Sequence, residues 1–201
     1  SGLENLASLS GGLLILHNDA LSSLDGLHNL TTIGVGGLGI LDNDALTSLS
    51  GLENVTSIGG MLEIISNSTL TSLTGLENLA SIGGNLSIGI IDYYGVYQGN
   101  PSLTSLTALE NVNANSISNL SICGNVSLSS CAVQSICDYL AAPNGTVTIE
   151  YNAPGCNSEE ELEEACKTLG VGESAVGSQQ SAVMCYPNPT GGIVDFRFST
   201  V

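Results

Sequence analysis

The side chains able to do chemistry in this sequence are few and unevenly placed. All six cysteines lie beyond position 122, as Cys123, Cys131, Cys137, Cys156, Cys166 and Cys185. Clustered thiols either hold a metal or oxidise in pairs. Zinc sites are usually assembled from close pairs of the C-x-x-C kind, and no such pair occurs here. The cluster therefore reads as disulfides, the chemistry of an oxidising compartment. Many pairings are open to six cysteines. The reading favoured here joins Cys123 to Cys131 and Cys137 to Cys156, which leaves Cys166 and Cys185 unassigned.

Three of the six tyrosines fall in one short run, as Tyr93, Tyr94 and Tyr97 of IDYYGVYQG. Tyrosine offers a large contact surface with a polar tip at low entropic cost, which suits a protein partner or a stacked sugar ring. These three are the candidate ligand contacts. The plain alternative is a loop folded down over apolar surface. His17 and His28 are isolated and have no metal-ligand spacing. Asp42-Asn43-Asp44 and the periodic Glu53, Glu77 and Glu110 gather carboxylates that calcium favours, but no complete calcium-loop signature is present and solvent screening accounts for them. No cofactor is expected. No nucleophile–base pair has usable spacing, and no lysine or arginine precedes Lys167 to stabilise developing negative charge. The chain is expected not to be an enzyme.

The elements that would position these residues are repeats. Gly2, Gly26, Gly51 and Gly75, with Ala108 in the same place, open five copies of a unit of mostly 24–25 residues. Leu13, Leu38, Leu62, Leu86 and Leu120 form one column, and Ile15, Ile40, Ile64, Ile88 and Ile122 form another two residues later. That period-two spacing predicts a short strand with both side chains inward. A fixed period of this length signals a solenoid, in which stacked coils bury what one coil cannot. Two asparagine columns run alongside: Asn5, Asn29, Asn54, Asn78 and Asn111, and Asn18, Asn43, Asn67, Asn100 and Asn125. Both read as structural, each amide serving backbone groups at the bends. The Ile-Gly-Gly runs at Ile58–Gly60 and Ile82–Gly84 read as corners that need unusual backbone angles. The tyrosine run is an insertion of about nine residues in the fourth repeat, the kind that becomes a loop on one face of a solenoid.

Beyond the repeats, Val133, Ile136, Cys137 and Leu140 have helical spacing, with Ser129-Ser130 as the expected N-cap and Pro143 and Gly145 as the stop. Thr146–Tyr151 predicts a strand. Ser158 and Glu161 predict a capping box opening a second helix. The expected organisation is a repeat region over 1–130, a cysteine-rich α/β cap over 131–169, a linker over 170–184 and a further element from 185. The fold class expected is mainly β: a solenoid of 24–25-residue coils with a small disulfide-containing α/β cap. Ser1 begins at the edge of a repeat, which points to a processed or longer parent chain.

The pattern GLENL-x-SIGG-x-L-x-I-x-x-N-x-x-L-T-S-L resembles the receptor L-domain type of leucine-rich repeat, over about residues 1–131. Relatives of that type occur in receptor ectodomains and in secreted Bacteroidetes proteins. The resemblance implies a single-stack right-handed β-helix, a leucine-rich-repeat-like solenoid, and a binding role, with no ligand residue carried across. The run Tyr186, Pro187, Asn188, Pro189, Thr190 and Gly191 resembles the start of the C-terminal sorting domain of type IX secretion, cut short here. That resemblance implies the secretion machinery as a partner and a secreted or outer-membrane surface location. The stripe Ser22-Ser23, Thr47-Ser48, Thr71-Ser72 and Thr104-Ser105 is similar to the hydroxyl arrays of ice-binding β-solenoids, a remote alternative to a solvated edge.

The formal net charge is −17, with Lys167 and Arg197 the only basic residues. Such a surface repels phosphate backbones and anionic lipid, so nucleic acid is not an expected partner. No apolar run is long enough for a membrane span. The function expected is a non-catalytic recognition or adhesion module for protein or glycan at the cell exterior, with a structural spacer as the alternative.

Overall fold

A computed structural model of the chain describes residues 2–169. Each of the first four repeats contributes two short strands: β1 (Ser8–Leu9) and β2 (Leu13–Leu16), β3 (Thr32–Ile33) and β4 (Leu38–Leu41), β5 (Ser57–Ile58) and β6 (Leu62–Ile65), β7 (Ser81–Ile82) and β8 (Leu86–Ile88). The insertion forms β9 (Ile90–Ile91) and β10 (Tyr97–Gln98). Then follow β11 (Leu120–Cys123), α1 (Gln134–Ala141), β12 (Val147–Glu150) and α2 (Glu159–Thr168). The longer strands make a six-stranded parallel sheet ordered β12-β11-β8-β6-β4-β2, and the two-residue strands make a second parallel sheet ordered β1-β3-β5-β7.

Register follows the sequence columns. Leu13 pairs with Leu38, Leu38 with Leu62, Leu62 with Leu86 and Leu86 with Leu120, and the isoleucines match in the same way from Ile15 to Ile122. A slip of one residue would turn every one of these side chains outward. In register, Leu38, Leu62, Leu86, Ile40, Ile64 and Ile88 are fully buried, and each contributes roughly 1.5–3 kcal/mol by leaving water. The second sheet comes from the hydroxyl–aliphatic pairs Ser8–Leu9, Thr32–Ile33, Ser57–Ile58 and Ser81–Ile82 that precede the glycine runs, which the sequence columns alone did not single out as strands.

Those glycine runs have a different purpose from the one expected. None of Gly59, Gly60, Gly83 and Gly84 has a positive φ. What matters is the approach of neighbouring backbones: a Cβ on Gly60 would lie 2.4 Å from the Val35 carbonyl oxygen, and one on Gly83 2.6 Å from that of Gly59. The left-handed corner sits elsewhere, at the residue before the inner asparagines: His17, Asp42, Ser66, Gly124 and Tyr151, with φ of 55°, 53°, 55°, 72° and 56°.

The inner asparagine column is a hydrogen-bonded ladder. Asn43, Asn67, Asn100 and Asn125 are fully buried. The Asn67 Oδ1 accepts from both N and Nδ2 of Asn43, at 3.1 and 3.3 Å, and the Asn67 Nδ2 donates to the carbonyls of Ile40 and Ile65. The same scheme repeats from Asn18 to Asn125 and extends to Asn152, whose N–H is accepted by Asn157 Oδ1 at 3.1 Å. The outer column is strapping on the surface: Asn54, Asn78 and Asn111 each donate Nδ2 to a carbonyl of the preceding repeat.

The repeat columns continue beyond residue 131. β12 pairs in parallel with β11, Val147 on Leu120 and Ile149 on Ile122. The strand expected over Thr146–Tyr151 is therefore a sixth strand of the main sheet, and Asn152 is the last rung of the ladder. α1 lies between β11 and β12 in sequence. Ser129 and Ser130 do not cap α1: its N-cap residue is Val133 without a side-chain cap, and Ser130 bridges Ser105 of the preceding repeat instead. At α2, Ser158 Oγ accepts from the Glu161 N–H at 3.2 Å as expected, but the Glu161 carboxylate reaches back to the N–H groups of Asn157 and Gly155.

The disulfides are Cys131–Cys156 and Cys137–Cys166, which corrects the expected pairing of Cys123 with Cys131 and of Cys137 with Cys156. The reason is geometric. Alternation along β11 turns Ile122 inward and Cys123 outward, whereas Cys131 lies in the inner core. Among the described residues Cys123 has no disulfide partner; it is buried, and its thiol donates to the Thr148 carbonyl at 3.6 Å. Burial pushes its pKa up. Cys137–Cys166 ties α1 to α2. Among the described residues no helix is long and apolar enough to cross a membrane.

Candidate functional site

The tyrosine insertion is an antiparallel hairpin. β9 and β10 pair Ile91 with Tyr97 and Ile90 with Gln98. The chain leaves the main sheet at Gly89 and returns at Gly99, both of which press against the Cys123–Gly124 backbone where a Cβ would not fit. The hairpin base is thus set against the fifth repeat by close backbone contact.

Asp92 builds the tip. Its Oδ1 accepts from the N–H groups of Tyr94 and Val96, both at 2.9 Å, and its Oδ2 accepts from Gln98 Nε2 at 3.0 Å. The bond from the Val96 N–H, followed by those from Tyr94 and Gln98, holds the Asp92 carboxyl below the usual carboxylate range. An aspartate gripping the amides two and four residues on is the usual chemistry of a tight turn, and Gly95, with φ of 78°, completes it.

The three candidate tyrosines divide into two roles. Tyr97 faces the protein: its ring stacks on Tyr151 at 3.7 Å between centroids, and its hydroxyl donates to Glu150 Oε2 at 3.2 Å. Burial, then the adjacent Glu150 carboxylate, push the Tyr97 phenol up to about 12. Tyr93 and Tyr94 face solvent at 97% and 86% exposure. Their rings meet edge to face, with centroids 5.6 Å apart and planes at 84°. Two aromatic rings are therefore held out at the tip of a hairpin whose third tyrosine anchors it. Tyr151 and Glu150 were not singled out from sequence. They lie on and just after β12, and only the pairing of β12 with β11 brings them under the hairpin.

The other candidate groups are spent on local structure. Glu53 and Glu77 each accept from the N–H of the glycine two residues before, at 2.8 Å. Asp44 Oδ1 accepts from the Ser68 N–H at 3.1 Å, and bonding to Ser68 lowers its pKa. His17 Nδ1 lies 3.5 Å from Asp42 Oδ2 on the surface. Among the described residues no three histidine, cysteine, aspartate or glutamate side chains converge as a metal site. In the hydroxyl stripe, Thr71 and Thr104 Oγ1 donate to the carbonyls of Thr47 and Thr71 in the repeat before. The linker at 170–184 and the motif Tyr186–Gly191 lie outside the described residues, as does Cys185.

The hairpin, with its exposed pair Tyr93 and Tyr94 and its anchor Tyr97, is the one place in the described residues where the candidate contacts are presented together. Comparison of the chain with protein-family models, with curated proteins and with solved structures finds no match in any of the three.

Proposed function

We propose that this chain is a non-catalytic recognition module of the cell exterior, which binds a protein or a glycan through the β9–β10 hairpin. The observation that carries the reading is the presentation of Tyr93 and Tyr94. Exposed aromatic rings on a short, internally bonded turn offer contact area whose ordering has already been met by the fold. Their support is stiff, because parallel strands in matched register and a buried amide ladder lie behind it. The same columns support a right-handed β-helix solenoid of the receptor L-domain type as the scaffold. Two disulfides support an oxidising compartment. The sequence run Tyr186–Gly191 supports export through type IX secretion, with the secretion machinery as a transient partner.

The test is a glycan-array and bacterial-surface binding screen of the whole chain beside the pair Tyr93→Ser/Tyr94→Ser. Both positions are exposed, so the variant keeps the fold. Binding by the parent that the variant loses is the expected result. Equal binding by both moves the site off the hairpin. Failure of both to bind any surface favours a spacer that carries other modules.

A further inference from the structure

We infer that the hairpin tip takes a cationic partner, a lysine- or arginine-bearing stretch of polypeptide that sits against the faces of Tyr93 and Tyr94. The inference rests on the recognition reading and names the ligand chemistry.

Charge gives the first argument. The chain carries 19 acidic residues against 2 basic ones. The only basic side chain among the described residues besides the two histidines is Lys167, and it is paired with Glu164 at 2.9 Å. Among the described residues no lysine or arginine stands near the hairpin to receive an anionic ligand, while a cationic one gains from the whole field of the molecule. Asp92 adds a local charge. Its oxygens are filled by two amide N–H groups and the Gln98 side-chain amide, all of them neutral donors. These bonds favour the charged carboxylate, and among the described residues no counter-ion pairs with it. Glu150 lies under the same hairpin, accepting the Tyr97 hydroxyl.

Ring geometry gives the second. A sugar is gripped by a flat aromatic platform with free polar groups beside it to read its hydroxyls. Tyr93 and Tyr94 stand at 84° to each other and share no plane. Within the hairpin, the polar side chains of Asp92 and Gln98 are already bonded to one another, and Asp92 to the turn. An exposed ring face next to an ionised carboxylate is instead a place for an ammonium or guanidinium group, which is drawn to the negative face of the ring within about 6 Å of its centre.

The experiment titrates the full chain with an arginine-rich nonapeptide, a glycine–serine nonapeptide and a neutral oligosaccharide, at low and at high salt. Three proteins are compared: the parent, Tyr93→Phe/Tyr94→Phe and Tyr93→Ser/Tyr94→Ser. The expected result is binding of the arginine-rich peptide alone. The phenylalanine pair should retain it, the serine pair should weaken it roughly tenfold, and salt should reduce it throughout. Equal binding by the parent and the serine pair would mean that bulk charge does the work, and would overturn the inference. Oligosaccharide binding that needs the tyrosines, without peptide binding, would overturn the cationic partner and leave the recognition reading intact. Binding of no probe would overturn the inference as well, and the surface screen above would then decide the recognition reading on its own.

Discussion

Cys131 and Cys156 are joined across successive repeats, with Cα atoms 6.0 Å apart and a sequence separation of 25. Cys131 follows Leu24, Leu49, Leu73 and Leu106 in their core column, and the bridge ties that column to the turn before α2, where Cys156 is fully buried. The second bridge, Cys137–Cys166, fastens the two helices beside it.

Non-reducing peptide mapping should recover Cys131 with Cys156 and Cys137 with Cys166, with the peptide bearing Cys123 unlinked. Closing a loop of 25 residues stabilises by roughly 3–4 kcal/mol in the chain-entropy account. Cys131→Ala/Cys156→Ala should lower stability in urea by about that amount. Cys123 should resist alkylation in the native protein and react once it is unfolded.

Asn67→Leu should be far more damaging than Asn78→Ala. The first removes a buried rung and leaves the Asn43 N–H and the carbonyls of Ile40 and Ile65 without this partner. Unpaired buried groups cost about 1–3 kcal/mol each, so a loss of roughly 3 kcal/mol or more is expected. Asn78 gives up one exposed bond to the Glu53 carbonyl, and its loss should cost about 1 kcal/mol or less. Chemical denaturation of the two variants measures the difference.

Gly60→Ala and Gly11→Ala form a matched pair. The new methyl meets the backbone of Val35 and Gly37 in the first and open space in the second. Overpacking against backbone costs about 1–3 kcal/mol, so only Gly60→Ala should lower the unfolding midpoint.

The hairpin should respond to pH at both extremes. The Asp92 carboxyl is lowered by its bonds to Val96, Tyr94 and Gln98. Its stabilisation is present above the unfolded carboxylate value and is lost as pH falls through the folded one. Tyr97 is raised to about 12, so its contribution is present below the unfolded tyrosine value and is lost as pH rises through about 12. Amide exchange of Tyr94 and Val96 should quicken in Asp92→Ala and in the parent at acid pH. A phenolate absorbance step near 12 should vanish in Tyr97→Phe.

Much of the parallel stacking was legible because identical residues recur at one spacing. Leu62, Ile64 and Asn67 announce their own partners. The continuation into Val147, Ile149 and Asn152 was harder to see. The helix α1 stretches the last repeat to 27 residues from Leu120 to Val147, and valine replaces leucine at its head. The cysteine pairing failed for a related reason. Cys123 and Cys131 are near in sequence, but strand alternation sends them to opposite sides of the sheet. No repeat spacing marks Cys156 as the partner of Cys131, because the last repeat is 27 residues long and Cys156 stands two residues short of the column. The division of Tyr97 from Tyr93 and Tyr94 was not legible at all, because it depends on Tyr151 and Glu150, which approach only through the pairing of β12.

The asparagine ladder runs one way. Each amide oxygen takes two N–H groups from the rung before, and each rung passes its own N–H groups to the one after, until Asn157 accepts the last. An interior rung thus meets its neighbours through the same donors and acceptors wherever it stands. A gene of this kind can lengthen by duplicating a whole repeat inside the run without disturbing either junction. Growth past Asn152 is different, since the terminal acceptor belongs to the turn before α2 and has no counterpart to hand on. The molecule is extensible in its middle and closed at that end.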